Sequence, residues 1–414
     1  MHLKITTSCM LLHKVNTLPF RFSVEIPSSK SMSNRALILH KLSGEKITVQ
    51  HLSEARDTKI LWELLNSNSE VLDAQDAGTT LRFLTAYCCA VNRKSIITGT
   101  ERMKSRPVKP LVDALCAIGF SVRYLEKDGF PPLQILPIEN SSALRSEVEI
   151  DASVSSQFIS ALMMIAPVLP AGLTIRWKGA AVSEPYLQLT HYMLKQCKVN
   201  ITMNANSIAI APALFAPVNF SIEADWSNAY YWIALVALLP NSKMLLKHVQ
   251  LKSLQGDAQA AKLLSMFGVH AEQLPNGLSI ENTGFCFPKT VSVNLNFMAH
   301  PDLAQTFMVL CAAKNIQARF SGLSTLAIKE TNRIEAMQAE LKKCGVALVQ
   351  TDSDMYELQG EFAQPQEPIC TYKDHRMAMS FAPLAALGMV EIEEPEVVEK
   401  SYPDFWKQWA LLYS

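Results

Sequence analysis

The sequence predicts an α/β protein of two domains, built from six repeats of a β-α-β-α-β-β unit. Three observations lead to this prediction. A strand pattern followed directly by a helix start recurs along the chain at intervals of about 70 residues, which indicates a repeated architecture. A second, leucine-rich helical phrase lies between successive starts. The residues at the helix starts change from Ser and Thr in the first half to Asp in the second half, which indicates two sets of three repeats.

Length and composition allow large cores and exclude several classes of protein. The 414 residues are 49% hydrophobic and 18% charged, against about 25% charged residues in an average soluble protein. The 38 basic and 38 acidic residues cancel, which argues against a general nucleic-acid or membrane-surface binder. Neither G-x-G-x-x-G nor G-x-x-x-x-G-K-[ST] occurs, so a dinucleotide or P-loop site is not expected.

The cysteines and apolar runs predict a cytoplasmic protein. The nine cysteines are scattered and never spaced C-x-x-C, and no H-E-x-x-H motif occurs, so we expect reduced thiols and no zinc site. The longest apolar runs, residues 161–169 and 230–239, are about half of a membrane span. His13 and Lys14 interrupt the N-terminal apolar stretch, which therefore does not resemble a signal peptide.

The first half contains three strand-to-helix junctions. Phe22, Val24 and Ile26 alternate with polar residues as in a strand, and a helix is predicted at 34–42 after the phrase Pro27-Ser28-Ser29-Lys30-Ser31. The second junction is Ala77-Gly78-Thr79-Thr80-Leu81-Arg82. The third, Ser155-Ser156-Gln157-Phe158, follows the alternating residues 148–154.

The second half repeats the pattern with Asp at each junction. Asp225, Asp302 and Asp374 precede apolar helical segments at intervals of 77 and 72 residues. The leucine-rich helices between junctions are predicted at 111–120, 187–199, 260–269 and 337–346. The change in junction chemistry predicts that the two domains meet near residue 226.

The junctions favour anions, because helix N-termini present unpaired N–H groups and the positive end of the helix dipole. Lys30, Arg35 and Arg82 add full charges at the first two junctions. Ser or Thr at a single junction is more often only an N-cap, but three such junctions in one domain indicate an oxyanion site.

Two further segments are rich in cations. These are Arg102-Met103-Lys104-Ser105-Arg106-Pro107 and Lys329-Glu330-Thr331-Asn332-Arg333. The second segment predicts that Lys329 and Arg333 share one face of a helix. Taken alone, each segment is more typical of a solvated helical face with ordinary ion pairs.

Together and in this order, these motifs resemble those of the 5-enolpyruvylshikimate-3-phosphate synthase family. The set is completed by Asp374-His375-Arg376-Met377-Ala378-Met379, and the similarity runs from about residue 22 to residue 406. The resemblance implies the enolpyruvyl transferase fold, an inside-out α/β barrel in each of two domains, with six βαβαββ repeats in all. It implies one domain at 29–226, mainly for shikimate 3-phosphate, and a second at 1–28 and 227–414, with the active site in the cleft between them.

The resemblance also implies the reaction. Such an enzyme transfers the enolpyruvyl group of phosphoenolpyruvate to the 5-hydroxyl of shikimate 3-phosphate and releases phosphate, in chorismate and aromatic amino-acid biosynthesis. It needs neither a metal nor an organic cofactor, and its family is the target of glyphosate. We expect a monomer whose partners are these two small substrates, with no nucleic acid and no membrane.

The site residues follow from the same resemblance. Asp302 would be the base acting on the 5-hydroxyl, Glu330 the acid and base at the enolpyruvyl carbon, and Lys30 a cation that touches both substrates. Shikimate 3-phosphate would contact Lys30, Ser31, Arg35, Ser155, Ser156, Gln157, Ser183, Asp302 and Lys329. Phosphoenolpyruvate would contact Lys30, Gly78, Arg106, Gln157, Arg333, Arg376 and Lys400. Only Asp302 and Glu330 are expected to offset these cations.

Four positions depart from the family pattern. Ser28 replaces a glycine, and Asp76 replaces an asparagine near phosphoenolpyruvate. Thr325 replaces an asparagine that usually touches shikimate, and Trp226 is bulky where small residues are common.

Two alternative functions remain open from the sequence. A UDP-N-acetylglucosamine enolpyruvyl transferase would use a cysteine in a mobile loop as its acid, and no such loop appears around Cys88, Cys89 or Cys116. An inactive, anion-binding relative is supported only by Asp76 and Thr325.

Overall fold

The chain divides into two compact units. The computed structural model describes residues 4–6, 8–15, 21–151, 155–179, 183–284 and 292–413. One unit, here called the terminal unit, comprises Met1–Ser29 and Glu223–Ser414; the other, the inner unit, comprises Lys30–Ile222. The sequence placed the boundaries at 28/29 and 226/227, and the assignment of substrates to the two units stays a prediction.

The strands and helices follow one another along the whole chain. The strands are β1 Lys4–Thr6, β2 Cys9–Leu12, β3 Arg21–Glu25, β4 Thr48–Gln50, β5 Val71–Asp73, β6 Ser95–Thr98, β7 Ser121–Tyr124, β8 Leu133–Leu136, β9 Glu147–Asp151, β10 Leu173–Lys178, β11 Ile201–Asn204, β12 Ser207–Ile210, β13 Asn219–Ser221, β14 Ser242–Lys247, β15 Val269–Leu274, β16 Gly277–Asn282, β17 Val293–Asn296, β18 Ala318–Ser321, β19 Val346–Asp352, β20 Met355–Gly360 and β21 Val390–Glu393. The α-helices are α1 Lys30–Leu42, α2 Arg56–Asn66, α3 Gly78–Ala90, α4 Glu101–Lys104, α5 Lys109–Ile118, α6 Ser156–Ile165, α7 Glu184–Gln196, α8 Trp226–Leu238, α9 Ala260–Ser265, α10 Ala304–Ala313, α11 Arg333–Lys343, α12 His375–Phe381 and α13 Phe405–Ala410. Residues 152–154, the end of the strand predicted at 148–154, lie outside the described part of the chain.

Four sheets share one topology. Their strand orders are β5-β6-β8-β7 and β9-β10-β12-β11 in the inner unit, and β3-β14-β16-β15 and β17-β18-β20-β19 in the terminal unit. In each sheet the first two strands are parallel. The third and fourth strands form a hairpin, and the third strand pairs antiparallel with the second. A single helix joins the parallel strands in three of these sheets, as such a crossover requires, whereas β3 and β14 are separated by the inner unit and α8. Within the described residues these sheets are open and do not close into a barrel.

The two remaining sheets combine distant parts of the chain. In the inner unit β4 pairs in parallel with β13. In the terminal unit β21 forms a parallel bridge to Ile369 and pairs with β2, which in turn pairs with β1. The N-terminal hairpin thereby occupies the position that the third and fourth strands hold in the four complete sheets.

The helices that follow the junction motifs are the buried ones. Nearly every residue of α3 and α6 in the inner unit is buried, and so is nearly every residue of α8, α10 and α12 in the terminal unit. A helix that is apolar on all sides packs at the centre of a domain. The start of each of these central helices therefore lies where a junction side chain has few water molecules around it.

Two structural features are absent from the described residues. No helix among them is long and apolar enough to cross a membrane. No group of three or more His, Cys, Asp or Glu side chains in the same residues has an arrangement that could hold a metal ion.

Candidate functional site

Junction side chains cap the central helices at three starts. Ser155 Oγ accepts the N–H of Gln157 at 3.2 Å, Asp225 accepts that of Ser227 at 2.8 Å, and Asp374 accepts that of Arg376 at 2.9 Å. Asp302 is different, because it lies in the one-turn 3-10 helix Pro301–Leu303 and its side chain caps no helix. Its carboxylate is therefore available to cations.

Lys30 begins α1 and joins three elements of the inner unit. Its Nζ donates to Asp57 Oδ2 at 3.0 Å, and Asp57 is buried at the start of α2. The backbone carbonyl of Asp57 accepts the Thr80 hydroxyl of α3 at 3.0 Å. Asp57 thus fixes Lys30 close to the second junction, and the sequence motifs did not reveal it.

Arg35 is buried inside the inner unit, with 2% of its surface exposed. Its guanidinium donates to Thr190 Oγ1 at 2.7 Å, to the Ser31 carbonyl at 2.9 Å and to Ser160 Oγ at 3.1 Å. The Tyr186 carbonyl lies at 3.4 Å. Among the described residues no carboxylate pairs with Arg35, and burial lowers the pKa of its guanidinium to about 10. The positive charge is held by neutral oxygens and lies over the rings of Phe83 and Tyr186, 5.4 and 5.7 Å from the ring centres.

Gly78 lies directly against two guanidinium groups. A Cβ atom at this position would lie 2.5 Å from Arg106 Nη1 and 2.9 Å from Arg82 Nη1. Arg82 donates to Gln157 Oε1 at 2.7 Å, and Gln157 Nε2 donates to Thr79 Oγ1 at 3.2 Å. The second and third junctions are therefore joined, and two cations converge at the start of α3. From the sequence, Arg82 was predicted to be a cation of the second junction, but it was not predicted to contact a substrate.

The predicted serines occupy the starts of α6 and α7. Ser156 is buried in the first turn of α6, next to the capping residue Ser155. Ser183 precedes α7, is buried, and has a left-handed backbone with φ 59°. Residues 152–154 and 180–182, which precede these two serines in the chain, lie outside the described residues.

In the terminal unit, Asp302 receives two guanidinium groups. Arg333 Nη1 donates to its Oδ1 at 3.0 Å, and Arg376 Nη2 donates to its Oδ2 at 2.8 Å. Lys329 Nζ lies 3.8 Å from Oδ1. Burial alone would raise the pKa of Asp302, but Arg376, Lys329 and Arg333 outweigh burial and hold that pKa below its usual value. Asp302 is therefore a carboxylate at neutral pH.

Glu330 lies in the same network. Its Oε2 accepts from Arg333 Nη2 at 2.8 Å, and its Oε1 lies 3.7 Å from Lys400 Nζ. Of the residues predicted in this half of the chain, the structure thus brings together Asp302, Lys329, Glu330, Arg333, Arg376 and Lys400.

Two expectations about these charges were wrong. Asp302 and Glu330 are not the only offsetting carboxylates, since Asp57 pairs with Lys30, and Asp374, which is fully buried, accepts Arg333 Nε at 2.8 Å. Lys329 and Arg333 do not share a helical face. Asn332 caps α11, so Lys329 precedes the helix with extended backbone.

Two tyrosines that the sequence did not reveal complete this network. Tyr230 and Tyr231 lie in α8 and have no exposed surface. Arg376 Nη1 donates to both hydroxyl groups, and the Tyr230 hydroxyl donates to the Asp302 backbone carbonyl at 2.7 Å.

The residues that depart from the family pattern occupy ordinary structural positions. Asp76 accepts the hydroxyl of Thr100. Thr325 is buried in the 3-10 helix Ser324–Ile328, and its hydroxyl has no hydrogen-bond partner in the described structure. Trp226 is fully buried in α8 and donates its indole N–H to the Gln250 carbonyl at 2.9 Å. Ser28 forms a backbone bridge to Ala224.

The cysteines named for the alternative enzyme are not arranged as a loop acid. Cys88 and Cys89 are buried in α3, where burial raises the pKa of both thiols. Cys116 lies on helix α5.

Repeated α/β units that place guanidinium and ammonium groups at helix starts, paired with carboxylates, define an enzyme class that binds anionic substrates and transfers protons. The model of the family described as EPSP synthase (3-phosphoshikimate 1-carboxyvinyltransferase) matches residues 61–409. The chain belongs to this EPSP synthase family.

Individual relatives agree with the family match. A 3-phosphoshikimate 1-carboxyvinyltransferase of Bacteroides fragilis (strain YCH46) is 41% identical over 388 residues, which cover 93% of each chain. The enzyme of that name from Idiomarina loihiensis is 32% identical over 423 residues, 95% of this chain and 96% of its own. The solved structure of an EPSP synthase from Acinetobacter baumannii superposes with a TM-score of 0.72 over 97% of both chains at 19% identity, which shows the shared fold.

Proposed function

We propose how this chain performs the reaction of its family, the transfer of the enolpyruvyl group of phosphoenolpyruvate to the 5-hydroxyl of shikimate 3-phosphate with release of phosphate. The observation that carries the proposal is the Asp302 network, in which one carboxylate receives Arg333 and Arg376 beside Glu330. A base, a second carboxyl group and cations for the substrate's anionic groups are what this transfer needs. The reaction serves chorismate and aromatic amino-acid biosynthesis, and the alternative enolpyruvyl transferase is not favoured by the family match.

Shikimate 3-phosphate is bound mainly by the inner unit. Its contacts are Lys30, Ser31, Arg35, Ser155, Ser156, Gln157 and Ser183, with Asp302 and Lys329 from the terminal unit. Arg35 supports this assignment, because its buried charge has only neutral partners and a bound anion would compensate it.

Phosphoenolpyruvate lies against Gly78 and a set of cations. The set is Lys30, Arg106, Arg333, Arg376 and Lys400, with the Gln157 amide as a neutral donor. The absent side chain at Gly78 supports this position, since it lets an anion approach the guanidinium groups of Arg106 and Arg82 closely.

Asp302 takes the proton of the 5-hydroxyl as the hydroxyl oxygen bonds to C2 of phosphoenolpyruvate. With Arg333 and Arg376 bound to it, the carboxylate is a weak base, because their charges favour its ionised form. Phosphoenolpyruvate brings anionic groups to the same two arginines. When those groups share the guanidinium charge, the pKa of Asp302 rises and the carboxylate becomes a stronger base.

Glu330 gives a proton to C3 of phosphoenolpyruvate, which becomes a methyl group in a tetrahedral adduct. Arg333 and Lys400 favour the carboxylate form of Glu330, whereas the negative charge of bound phosphoenolpyruvate favours the protonated form. In the second step Glu330 takes back a methyl proton, the C2–C3 double bond forms again, and phosphate leaves with the proton that Asp302 took from the 5-hydroxyl. Lys400 and the arginines stabilise the charge of the departing phosphate.

The proposal extends to the whole chain. The active site lies in a cleft between the two units, each unit is an inside-out barrel of three βαβαββ repeats, and the enzyme is a cytoplasmic monomer. The shared topology of the four complete sheets supports the repeats. No metal or organic cofactor takes part in the steps described above.

Phosphate release tests the proposed function. The full chain mixed with shikimate 3-phosphate and phosphoenolpyruvate should release phosphate, and either substrate alone should not. UDP-N-acetylglucosamine in place of shikimate 3-phosphate should give no release. Release with the nucleotide sugar would favour the other transferase, and no release with either acceptor would favour the inactive relative.

A further inference from the structure

Helix α8 carries two adjacent buried tyrosines that hydrogen-bond to residues of the Asp302 network. Tyr230 and Tyr231 both have their hydroxyl groups within hydrogen-bonding distance of Arg376 Nη1, and the two hydroxyl oxygens lie 3.2 Å apart. Only Tyr230 also bonds to Asp302, through the backbone carbonyl at 2.7 Å. The neighbouring residues therefore form a natural pair for comparison.

The protons in this group have one consistent assignment. A guanidinium only donates and a carbonyl only accepts. The single Tyr230 proton therefore goes to the Asp302 carbonyl, and the Tyr230 oxygen accepts from Arg376. Tyr231 also accepts from Arg376, and its oxygen lies 3.2 Å from the Tyr230 oxygen. Burial raises the pKa of both phenols, with Arg376 opposing it, so both hydroxyl groups keep their protons.

Hydrogen bonds fix both terminal nitrogens of the Arg376 guanidinium group. Nη1 is directed to the tyrosine oxygens, while Nη2 donates to Asp302 Oδ2 at 2.8 Å. Asp302 is held through its backbone by Tyr230 and through its side chain by Arg376. A single hydroxyl group thus sets the relative position of two residues that are 74 positions apart in the chain.

We propose that Tyr230 is a positioning residue, whose hydroxyl group orients Arg376 toward phosphoenolpyruvate and Asp302 toward the 5-hydroxyl. The inference rests on the proposed function and adds a residue that no junction motif includes. Removal of the hydroxyl deletes the part-buried bond to the Asp302 carbonyl and the shorter of the two tyrosine acceptors of Arg376 Nη1. Both groups then shift to find other partners, because an unpaired buried polar group is costly.

The test compares Tyr230→Phe with Tyr231→Phe in the full chain. Loss of one buried hydrogen bond to a charged group weakens binding about tenfold or more. Tyr230→Phe should therefore raise the KM for phosphoenolpyruvate by about that factor, and it should also lower kcat. The KM for shikimate 3-phosphate should stay within about twofold of the wild type. Tyr231→Phe should change the KM for phosphoenolpyruvate by less than about threefold, because Arg376 keeps Tyr230.

A double variant separates positioning from folding. If Tyr230 acts through Arg376, Tyr230→Phe added to Arg376→Ala should raise the KM for phosphoenolpyruvate little further. An unchanged KM for phosphoenolpyruvate in Tyr230→Phe would overturn the inference, and so would equal effects of the two phenylalanine variants. A lower kcat with an unchanged KM, explained by a smaller fraction of folded protein, would also overturn it. Absence of phosphate release by the wild type would instead overturn the proposed function, and this inference with it.

Discussion

Any side chain at position 78 would overlap sterically with two guanidinium groups. The methyl group of Gly78→Ala would meet Arg106 Nη1 at 2.5 Å and Arg82 Nη1 at 2.9 Å. Both atoms are ends of flexible side chains, and alanine favours helices more than glycine does, so α3 should stay folded. The displaced guanidinium groups should bind phosphoenolpyruvate more weakly, with a KM about ten- to a hundredfold higher. Steady-state phosphate release measures this KM.

The affinity for shikimate 3-phosphate serves as the control for Gly78→Ala. Calorimetric titration should give nearly the wild-type value, because Arg35 and Ser183 do not contact Gly78 in the described structure. Inhibition by glyphosate, which is longer than phosphoenolpyruvate, should weaken more than substrate binding does. An unchanged KM for phosphoenolpyruvate together with unchanged glyphosate inhibition would contradict the position of the substrate beside Gly78.

The negative charge on Asp302 should contribute both to turnover and to the stability of the folded chain above acidic pH. Its pKa is lower in the folded chain than in the unfolded chain, where an aspartate titrates near pH 3.9. The folded state is therefore stabilised above that pH, and the stabilisation is lost as the pH falls toward the folded pKa. In Asp302→Asn, the free energy of unfolding should fall less steeply below about pH 5, by up to about 1.4 kcal/mol per pH unit. Phosphate release at pH 7 should drop by roughly 100- to 10,000-fold.

Urea unfolding at a series of pH values measures that slope. Asp404→Asn is a suitable control, since Asp404 is exposed and lies 4.0 Å from Lys407 at the surface. It should leave both the acid slope and the turnover unchanged. Parallel curves for the wild type and Asp302→Asn would show that the ion pairs of Asp302 are not maintained in solution.

The sequence predicted the cations of the site but only two of their four carboxylate partners, Asp302 and Glu330. Lys30, Arg333 and Arg376 each lie in a recognisable phrase at a helix start. Asp57 is 27 residues from Lys30, and Asp374 is 41 residues from Arg333. Their side chains meet only when separate helices pack, and nothing local distinguishes Asp57 from an ordinary surface acid.

At the scale of helices, the start predicted at residue 260 agrees with the structure, and three other predicted starts were late for one reason. The helices expected at 111, 187 and 337 begin at Lys109, Glu184 and Arg333. The first turns contain proline in α5 and α7 and charged residues in all three, and these residues do not follow the apolar period used to predict a helix. The site residue Arg333 lies in such a first turn, where its guanidinium reaches Asp302.

Helix α11 is attached to the segment before α12 at both of its ends. Near its start Arg333 pairs with Asp374. Near its end the buried Glu340 accepts the Cys370 N–H at 3.0 Å and the Tyr372 hydroxyl at 2.7 Å, and it lies 2.8 Å from Lys343 Nζ. The segment 370–374 leads directly to Arg376, so these contacts set where α12 begins.

Glu340→Gln should therefore destabilise the terminal unit. The amide keeps one oxygen acceptor but directs an NH₂ group at donors, and Lys343 loses its charge partner. We expect a loss of about 1–3 kcal/mol in the free energy of unfolding and a smaller change in turnover. Glu335→Gln is the matched control, because Glu335 is exposed on the same helix and should have an effect within about 0.5 kcal/mol. Equal stability of the two variants would contradict a role for Glu340 in holding the segment.

The whole chain was predicted best where a repeat is contiguous. Three of the four complete sheets come from contiguous β-α-β-α-β-β segments, as the junction spacing indicated, whereas the fourth pairs β3 with the distant β14. The other two sheets were not evident, because they too pair strands that are remote in sequence. Strand β4 meets β13, and β2 meets β21 across almost the full length of the chain. No local pattern of residues reports such a pairing.

We predict that substrate binding, rather than relief of charge repulsion, brings the two units together. Lys30 is paired with Asp57 in the inner unit, and Arg333 and Arg376 are paired with carboxylates in the terminal unit. These ion pairs leave little repulsion between those cations. A substrate with anionic groups for both units would instead favour a closed state through its higher affinity for that state.

Small-angle scattering separates these two causes of closure. A compact chain of 414 residues has a radius of gyration of about 22 Å. We expect a larger radius without ligand and a decrease toward that value at saturating shikimate 3-phosphate. Salt alone should change the radius little, because Lys30, Arg333 and Arg376 are already paired with carboxylates within each unit. Arg35→Ala should need about ten- to a hundredfold more shikimate 3-phosphate for the same decrease, since the buried guanidinium would be lost. Contraction in salt without ligand would restore repulsion as the cause, and a constant radius at saturating ligand would refute closure by substrate.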